Sequence, residues 1–274
     1  MDKISPIGIF DSGVGGLTVM KQIVSVLPDY DYLYLGDSAR APYGTRSFET
    51  IYHYTLECVK YLFSQGCHLV ILACNTASAE ALRNIQQCDL PHIAPKKRVL
   101  GVIRPTAEII GHHTETRHVG VFGTAATISS KSYMMEIGDQ FPELQVYQEA
   151  CPMWVPLVEN NEHDKPGADY FVKQHIQNLR AKSAKIDAIL LACTHFPLLK
   201  PKIDAYTGDT MTVLGQGKIV ADSLADYLNR HPEIAEKCTK NGSRRFLTTD
   251  SPGSFNSLAR TFYGEPVNSQ FIDV

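Results

Sequence analysis

Two of the seven cysteines in this 274-residue sequence, Cys74 and Cys193, share one local setting. Each follows an unbroken apolar run, Leu69-Val-Ile-Leu-Ala and Ala188-Ile-Leu-Leu-Ala. Each precedes polar residues, Asn75-Thr76 in the first case and Thr194-His195 in the second. An apolar run of that length reads as a parallel strand buried on both faces. An Ala-rich helical pattern follows Cys74 as far as Ile85, so this thiol is expected where a strand ends and a helix begins. Ligands of open α/β sheets bind at that edge, and a helix N-terminus favours the thiolate. A thiol's reference pKa, about 8.5, lies near working pH, so it can take a proton and return one.

Two such thiols on opposite sides of a carbon could remove a proton from one face and deliver one to the other. The α-carbon of an amino acid is a substrate of this kind. Its carboxylate would need donors to stabilise the developing charge, and Asn75, Thr76, Thr124, Thr127 and Thr194 are candidates. Asp11 and His195 could each poise the nearer thiol or hold the ammonium group. Three other readings fit the same residues. One is a single-thiol amidase or thioesterase. Another is a metal site built from Cys74, Cys193 and His195, three ligands with no evident fourth. The third is a small-molecule-binding protein with no catalysis.

The elements that must position these thiols are themselves repeated. The cysteines are 119 residues apart, and Ile7-Gly-Ile-Phe-Asp-Ser12 is echoed 112 residues later by Val119-Gly-Val-Phe-Gly-Thr124. Two matches at nearly one offset suggest a duplicated α/β unit, with one cysteine from each half facing a cleft. Strands are expected at 6–10, 32–35, 69–73, 99–103, 118–122, 144–150, 187–192, 210–214 and 244–248. Helical patterns run over 17–26, 48–63, 106–110, 169–181, 219–228 and 254–262. Residues 91–98 read as a linker. The strands after 210 have no counterpart in the duplication and are expected to complete the first sheet. The domains expected are therefore 1–96 plus 210–274, and 97–209. The turn Asp11-Ser-Gly-Val-Gly-Gly-Leu-Thr18 is glycine-rich but lacks the dinucleotide fingerprint. The loop Gly36-Asp-Ser-Ala-Arg-Ala-Pro-Tyr-Gly44 could line a site with Asp37, Tyr43 and Gly44. The local sequence leaves the environment of Glu159 open.

Composition bounds the remainder. A hydrophobic share of 44% is ordinary for a globular chain, and a formal charge of −3 gives no reason to expect nucleic acid as a partner. No apolar window is long enough for a transmembrane helix, and the N-terminus lacks the apolar stretch of a signal peptide. A cytoplasmic location with reduced thiols is the expectation. Cys58, Cys67, Cys88, Cys151 and Cys238 have no sequence partner and read as inert.

Taken together, the motifs resemble the glutamate racemases of the cofactor-independent aspartate/glutamate racemase superfamily over essentially the whole length. The matching segments are Ile9 to Thr18, Gly36 to Gly44, Ala73-Cys-Asn-Thr-Ala-Ser78, Gly123-Thr-Ala-Ala-Thr127, Ala150-Cys-Pro152, Val155-Pro-Leu-Val-Glu159 and Ala192-Cys-Thr-His-Phe-Pro-Leu-Leu199. The resemblance implies two doubly wound parallel-sheet domains related by a pseudo-twofold axis, with the active site in the cleft between them. It implies Cys74 and Cys193 as the acid/base pair, assisted by Asp11 and His195. It implies substrate contacts from Asp11, Ser12, Tyr43, Gly44, Asn75, Thr76, Thr124, Thr127, Thr194 and His195, with Asp37 and Glu159 as auxiliary positions. Further implications are no cofactor or metal, a homodimer, and a bacterial role supplying D-glutamate for peptidoglycan. Aspartate is the nearest competing substrate, and only the resemblance favours glutamate over it. The short stretch before the first strand points away from the activator-dependent subgroup. Arg104 and Thr106 stand where Glu and Gly are frequent, and Gly215-Gln-Gly217 replaces Asp-Ser or Asp-Pro. These departures are expected to bear on regulation and dimer contacts, away from the matched catalytic set.

Overall fold

The computed structural model describes residues 5–274. Residues 1–4, part of the stretch read as lacking an export signal, lie outside the described residues. Among these residues, ten strands form two wholly parallel sheets. In the first, β1 (Ile7–Asp11), β2 (Tyr32–Gly36), β3 (Leu69–Leu72), β4 (Arg98–Gly101), β9 (Arg244–Thr248) and β10 (Ser269–Phe271) take the order β10-β9-β2-β1-β3-β4. In the second, β5 (His118–Gly123), β6 (Gln145–Ala150), β7 (Ala188–Ala192) and β8 (Thr212–Gly215) take the order β6-β5-β7-β8. The second sheet therefore repeats the β2-β1-β3-β4 order of the first. The duplication read from the sequence is present in the topology.

Parallel neighbours need long crossovers, and helices supply them. Their apolar faces bury both sides of each sheet. Along β1 and β3, Ile7, Ile9, Leu69, Ile71 and Ala73 face one core, while Phe10, Val70, Leu72 and Cys74 face another. Ile189, Leu191 and Cys193 join the first of these cores, and Ala188, Leu190 and Ala192 pack into a third. One continuous apolar cluster thus runs through both halves. Trp154 lies within it, fully buried, with ring centroids 4.9 Å from Phe122 and 4.8 Å from Phe196.

Strand membership differs from the expected domain boundaries. β4, placed by the sequence reading in the 97–209 domain, pairs with β3 from Leu69↔Arg98 to Leu72↔Gly101. β8, placed in the returning 210–274 segment, pairs with β7 from Ala188↔Thr212 to Leu191↔Gly215. Only β9 and β10 return to the first sheet, at the β2 edge. Elements not anticipated include the helices Ser132–Gln140 and Lys200–Thr207 and the edge strand β10. The helix Ser132–Gln140 buries only Tyr133 and Ile137, one helical turn apart, which leaves a weak apolar period. The expected strand over 99–103 stops at Gly101 because a helix starts at Ile103. Pro105 is tolerated in that first turn, where backbone N–H groups lack intrahelical partners anyway.

Among the described residues no helix is long and apolar enough to cross a membrane.

Candidate active site

The C-terminal ends of β1, β3, β5 and β7 carry the residues singled out by type and spacing. Cys74 follows β3 and caps the helix Asn75–Glu80, its sulfur accepting from the Ala77 N–H at 3.5 Å. The thiol reaches Ser12 Oγ at 3.4 Å. Burial, the Asp11 carboxylate and the charge of Cys193 push this thiol up to about 12, against smaller opposing effects from Ser12 and the Ala77 N–H.

Asp11 ends β1 and is fully buried. Its Oδ2 accepts from the Gly13 N–H at 3.0 Å, while Oδ1 is buried with no protein partner. Burial raises its carboxyl above the ordinary range, although His195 and the Gly16 and Gly13 N–H groups pull the other way. A buried acceptor without a partner is costly, so this one suits a cationic ligand group.

On the other side, Cys193 follows β7 and lies 3.9 Å from His195 Nδ1. His195 Nε2 lies 2.9 Å from Glu159 Oε1. Burial opposes a charged imidazole here, but Cys193 and Glu159 outweigh it and hold His195 up to about 10. Glu159, open in the sequence reading, is half-buried at the end of the helix Trp154–Glu159.

The halves touch at several points. Thr76 Oγ1 lies 3.0 Å from Thr124 Oγ1 and 3.3 Å from Thr127 Oγ1, and those two are 3.0 Å apart. Three hydroxyls from both sheets thereby cluster beside Cys74. Thr18 Oγ1 donates to the Thr194 carbonyl at 2.9 Å. A Cβ on Gly44 would fall 2.8 Å from Thr124 Cβ, so the Gly36–Gly44 loop also reaches the second half.

Asp37 and Tyr43 belong to one buried hydrogen-bonded cluster. Tyr43 is buried and donates its hydroxyl to Asp37. Asp37 also binds Arg40 Nε at 2.7 Å and Thr249 Oγ1 at 2.8 Å. This cluster anchors the loop that presents Gly44. The departures near 106 and 216 reach one matched residue, Asn75, which the resemblance gives as a substrate contact. Gln216 accepts from Asn75 Nδ2 at 2.7 Å, and donates to Thr106 Oγ1 at 3.0 Å and to Tyr133. Arg104 is exposed and paired with Glu108. Sequence reasoning missed Gln216 and Tyr133. A signal for Gln216 exists: Val99-Leu-Gly101 repeats as Val213-Leu-Gly215, which marks it as the residue after a strand. Among the described residues, no group of three His, Cys, Asp or Glu side chains is arranged to hold a metal ion.

Residues 7–222 match the Asp/Glu/Hydantoin racemase family. A glutamate racemase of Roseobacter denitrificans is 41% identical over 266 residues, covering 93% of this chain and 96% of that one. A glutamate racemase isoform from Bacillus anthracis superposes with a TM-score of 0.89 at 34% identity, over 99% of this chain and 98% of that one. The glutamate racemase of Francisella tularensis, solved in complex with D-glutamate, gives 0.87 at 30% identity over 100% and 98%.

Proposed function

This chain belongs to the Asp/Glu/Hydantoin racemase family, and on that footing we propose that it interconverts L- and D-glutamate by two-base proton transfer between Cys74 and Cys193. One thiolate removes the α-proton and becomes a thiol. The electron pair passes into the carboxylate as its aci form. The opposite thiol then protonates the other face and becomes the thiolate. Proton and charge balance within the pair, so no cofactor, oxidant or co-reactant is called for.

The observation that carries this reading is the placement of the two sulfurs after equivalent strands, β3 and β7, of two sheets with one strand order. Their surroundings give the resting enzyme a direction. His195 Nδ1 lies 3.9 Å from the Cys193 sulfur, while burial and the Asp11 carboxylate keep the proton on Cys74. Cys193 is then the first base and Cys74 the first acid, and one turnover exchanges the roles. The free Oδ1 of Asp11 takes the substrate ammonium. The hydroxyls of Thr76, Thr124 and Thr127, with Ser12, Asn75 and Thr194, line the path of the substrate carboxylates. Stabilising the aci-carboxylate in that way is electrostatic catalysis by groups already oriented. Gly44 and Tyr43 shape the wall, and Asp37 and Glu159 act through Tyr43 and His195.

Family membership supports further proposals: two domains, the first discontinuous; a homodimer; and D-glutamate production for peptidoglycan in a bacterial cytoplasm. The reaction is tested by circular dichroism assays on L-glutamate and L-aspartate. Loss of ellipticity with glutamate and little with aspartate is expected, and preference for aspartate or inertness toward both would overturn the assignment.

A further inference from the structure

Behind the Cys74 turn, three side chains from three elements close a ring of hydrogen bonds. Asn75 Nδ2 donates to Gln216 Oε1 at 2.7 Å, Gln216 Nε2 donates to the Tyr133 hydroxyl, and that hydroxyl donates to Asn75 Oδ1. All three residues are buried. Within the ring each member donates once and accepts once, so no polar atom of it is wasted. Such a ring could run in either sense. Val102 O, 3.4 Å from Gln216 Nε2, fixes the sense, because reversal would set Gln216 Oε1 against that carbonyl. The second Nε2 hydrogen goes to Thr106 Oγ1, which donates onward to Val102 O at 2.8 Å.

The members come from separate parts of the chain. Asn75 opens the helix after β3 and is bonded directly to Cys74. Tyr133 lies on the helix Ser132–Gln140, packed in the core of the second sheet. Gln216 opens the helix Gln216–Arg230 after β8. The ring is therefore a fixed point between the Cys74 turn and the half whose β7 leads into Cys193.

We propose that Gln216 is a positioning residue: by closing the ring with Asn75 and Tyr133 it fixes the Cys74 turn against the half that carries Cys193, and so aligns the two sulfurs on one carbon. The proposal rests on the reading of Cys74 as one of the two proton carriers. Gln216 touches no reacting atom in this scheme, and it acts through Asn75. The residue is also one of the positions where the chain leaves the family pattern, and Thr106, another such position, accepts from it. The two departures are thus one coordinated feature.

Two substitutions and their combination test this. Tyr133→Phe removes one hydroxyl and little volume, and Gln216→Met keeps chain length while removing the amide. Each opens the ring, and each is expected to lower kcat/KM for glutamate by about tenfold or more. The double variant is expected to fall no further than the worse single, since a ring opened twice loses the same constraint. Peptide-resolved iodoacetamide labelling gives a second readout, with Cys74 alkylated faster in each variant and Cys193 unchanged. Additive losses in kcat/KM, or a Cys74 labelling rate unaffected by ring opening, would overturn the proposal. If Gln216→Met does not fold, Tyr133→Phe alone decides the labelling arm. Inertness of the unsubstituted chain toward glutamate would defeat the catalytic reading, while labelling would still decide whether the ring holds the turn.

Discussion

Gly15 rests against His195 with no room for a methyl group. A Cβ at position 15 would fall 2.5 Å from His195 Cε1 and Nδ1, and 2.3 Å from Thr194 Oγ1. Gly15 belongs to the turn after β1, and His195 follows β7, so this contact joins the two halves at the residue that faces Cys193. The glycine is required there by close approach.

Gly15→Ala must displace Thr194 and His195. We expect kcat/KM to fall about a hundredfold, as displacements near 1 Å do at catalytic groups. Overpacking should cost about 1–3 kcal/mol of stability. Steady-state assays with urea unfolding separate the two effects, and an alanine variant with full activity would show that this contact is loose.

Glu159→Gln removes one of the two groups that raise His195. The imidazole should then lose its proton at lower pH, moving the alkaline limb of kcat/KM toward neutrality. The stability linkage has the same sign. His195 is raised above its ordinary 6.5 in the folded chain, so its contribution is complete below that pH and is lost as pH rises through about 10. The variant should lose that contribution earlier on the alkaline side. An unmoved alkaline limb would mean that Glu159 does not act through His195.

Alkylation should distinguish the two sulfurs. Both are buried to a similar degree, 5% and 6% exposed, so access alone does not separate them. Cys74 is pushed up to about 12, whereas Cys193 faces His195. Iodoacetamide at neutral pH should modify Cys193 at least about tenfold faster than Cys74. The exposed Cys88 provides an internal reference for peptide mass mapping. Equal rates would remove the assignment of Cys193 as the first base.

Asp37→Ala strips the buried acceptor shared by Tyr43, Arg40 and Thr249. Leaving those donors unsatisfied should cost about 3 kcal/mol in chemical denaturation. KM should rise because the loop that presents Gly44 loses its anchor. Unchanged stability and KM would argue that Asp37 holds nothing in place.

Much of this is legible in the sequence. The apolar runs ending at Ala73 and Ala192 located β3 and β7, because strands buried on both faces need uninterrupted apolar sequence. The echo of Ile7–Ser12 in Val119–Thr124 revealed the duplication. The sheet membership of β4 and β8 was hidden because both strands are only four residues long and lead into helices within two residues of their terminal glycines, Gly101 and Gly215. The repeat of Val99-Leu-Gly101 in Val213-Leu-Gly215 would have assigned both strands to their own sheets. Tyr133 and Gln216 were hidden for another reason. A ring closed by residues 75, 133 and 216 has no local signature, and the repeat that places Gln216 after β8 says nothing of its partners. Glu159 was similarly indeterminate until the short helix after Trp154 turned it toward His195.

The most direct measurement of the central claim follows racemisation and α-hydrogen exchange in deuterium oxide for Cys74→Ser and Cys193→Ser. We predict that each variant loses racemisation of both glutamate enantiomers, with slow exchange surviving only for the enantiomer that the remaining cysteine can reach. Racemisation at the unsubstituted rate by either single variant would contradict a mechanism that needs both sulfurs.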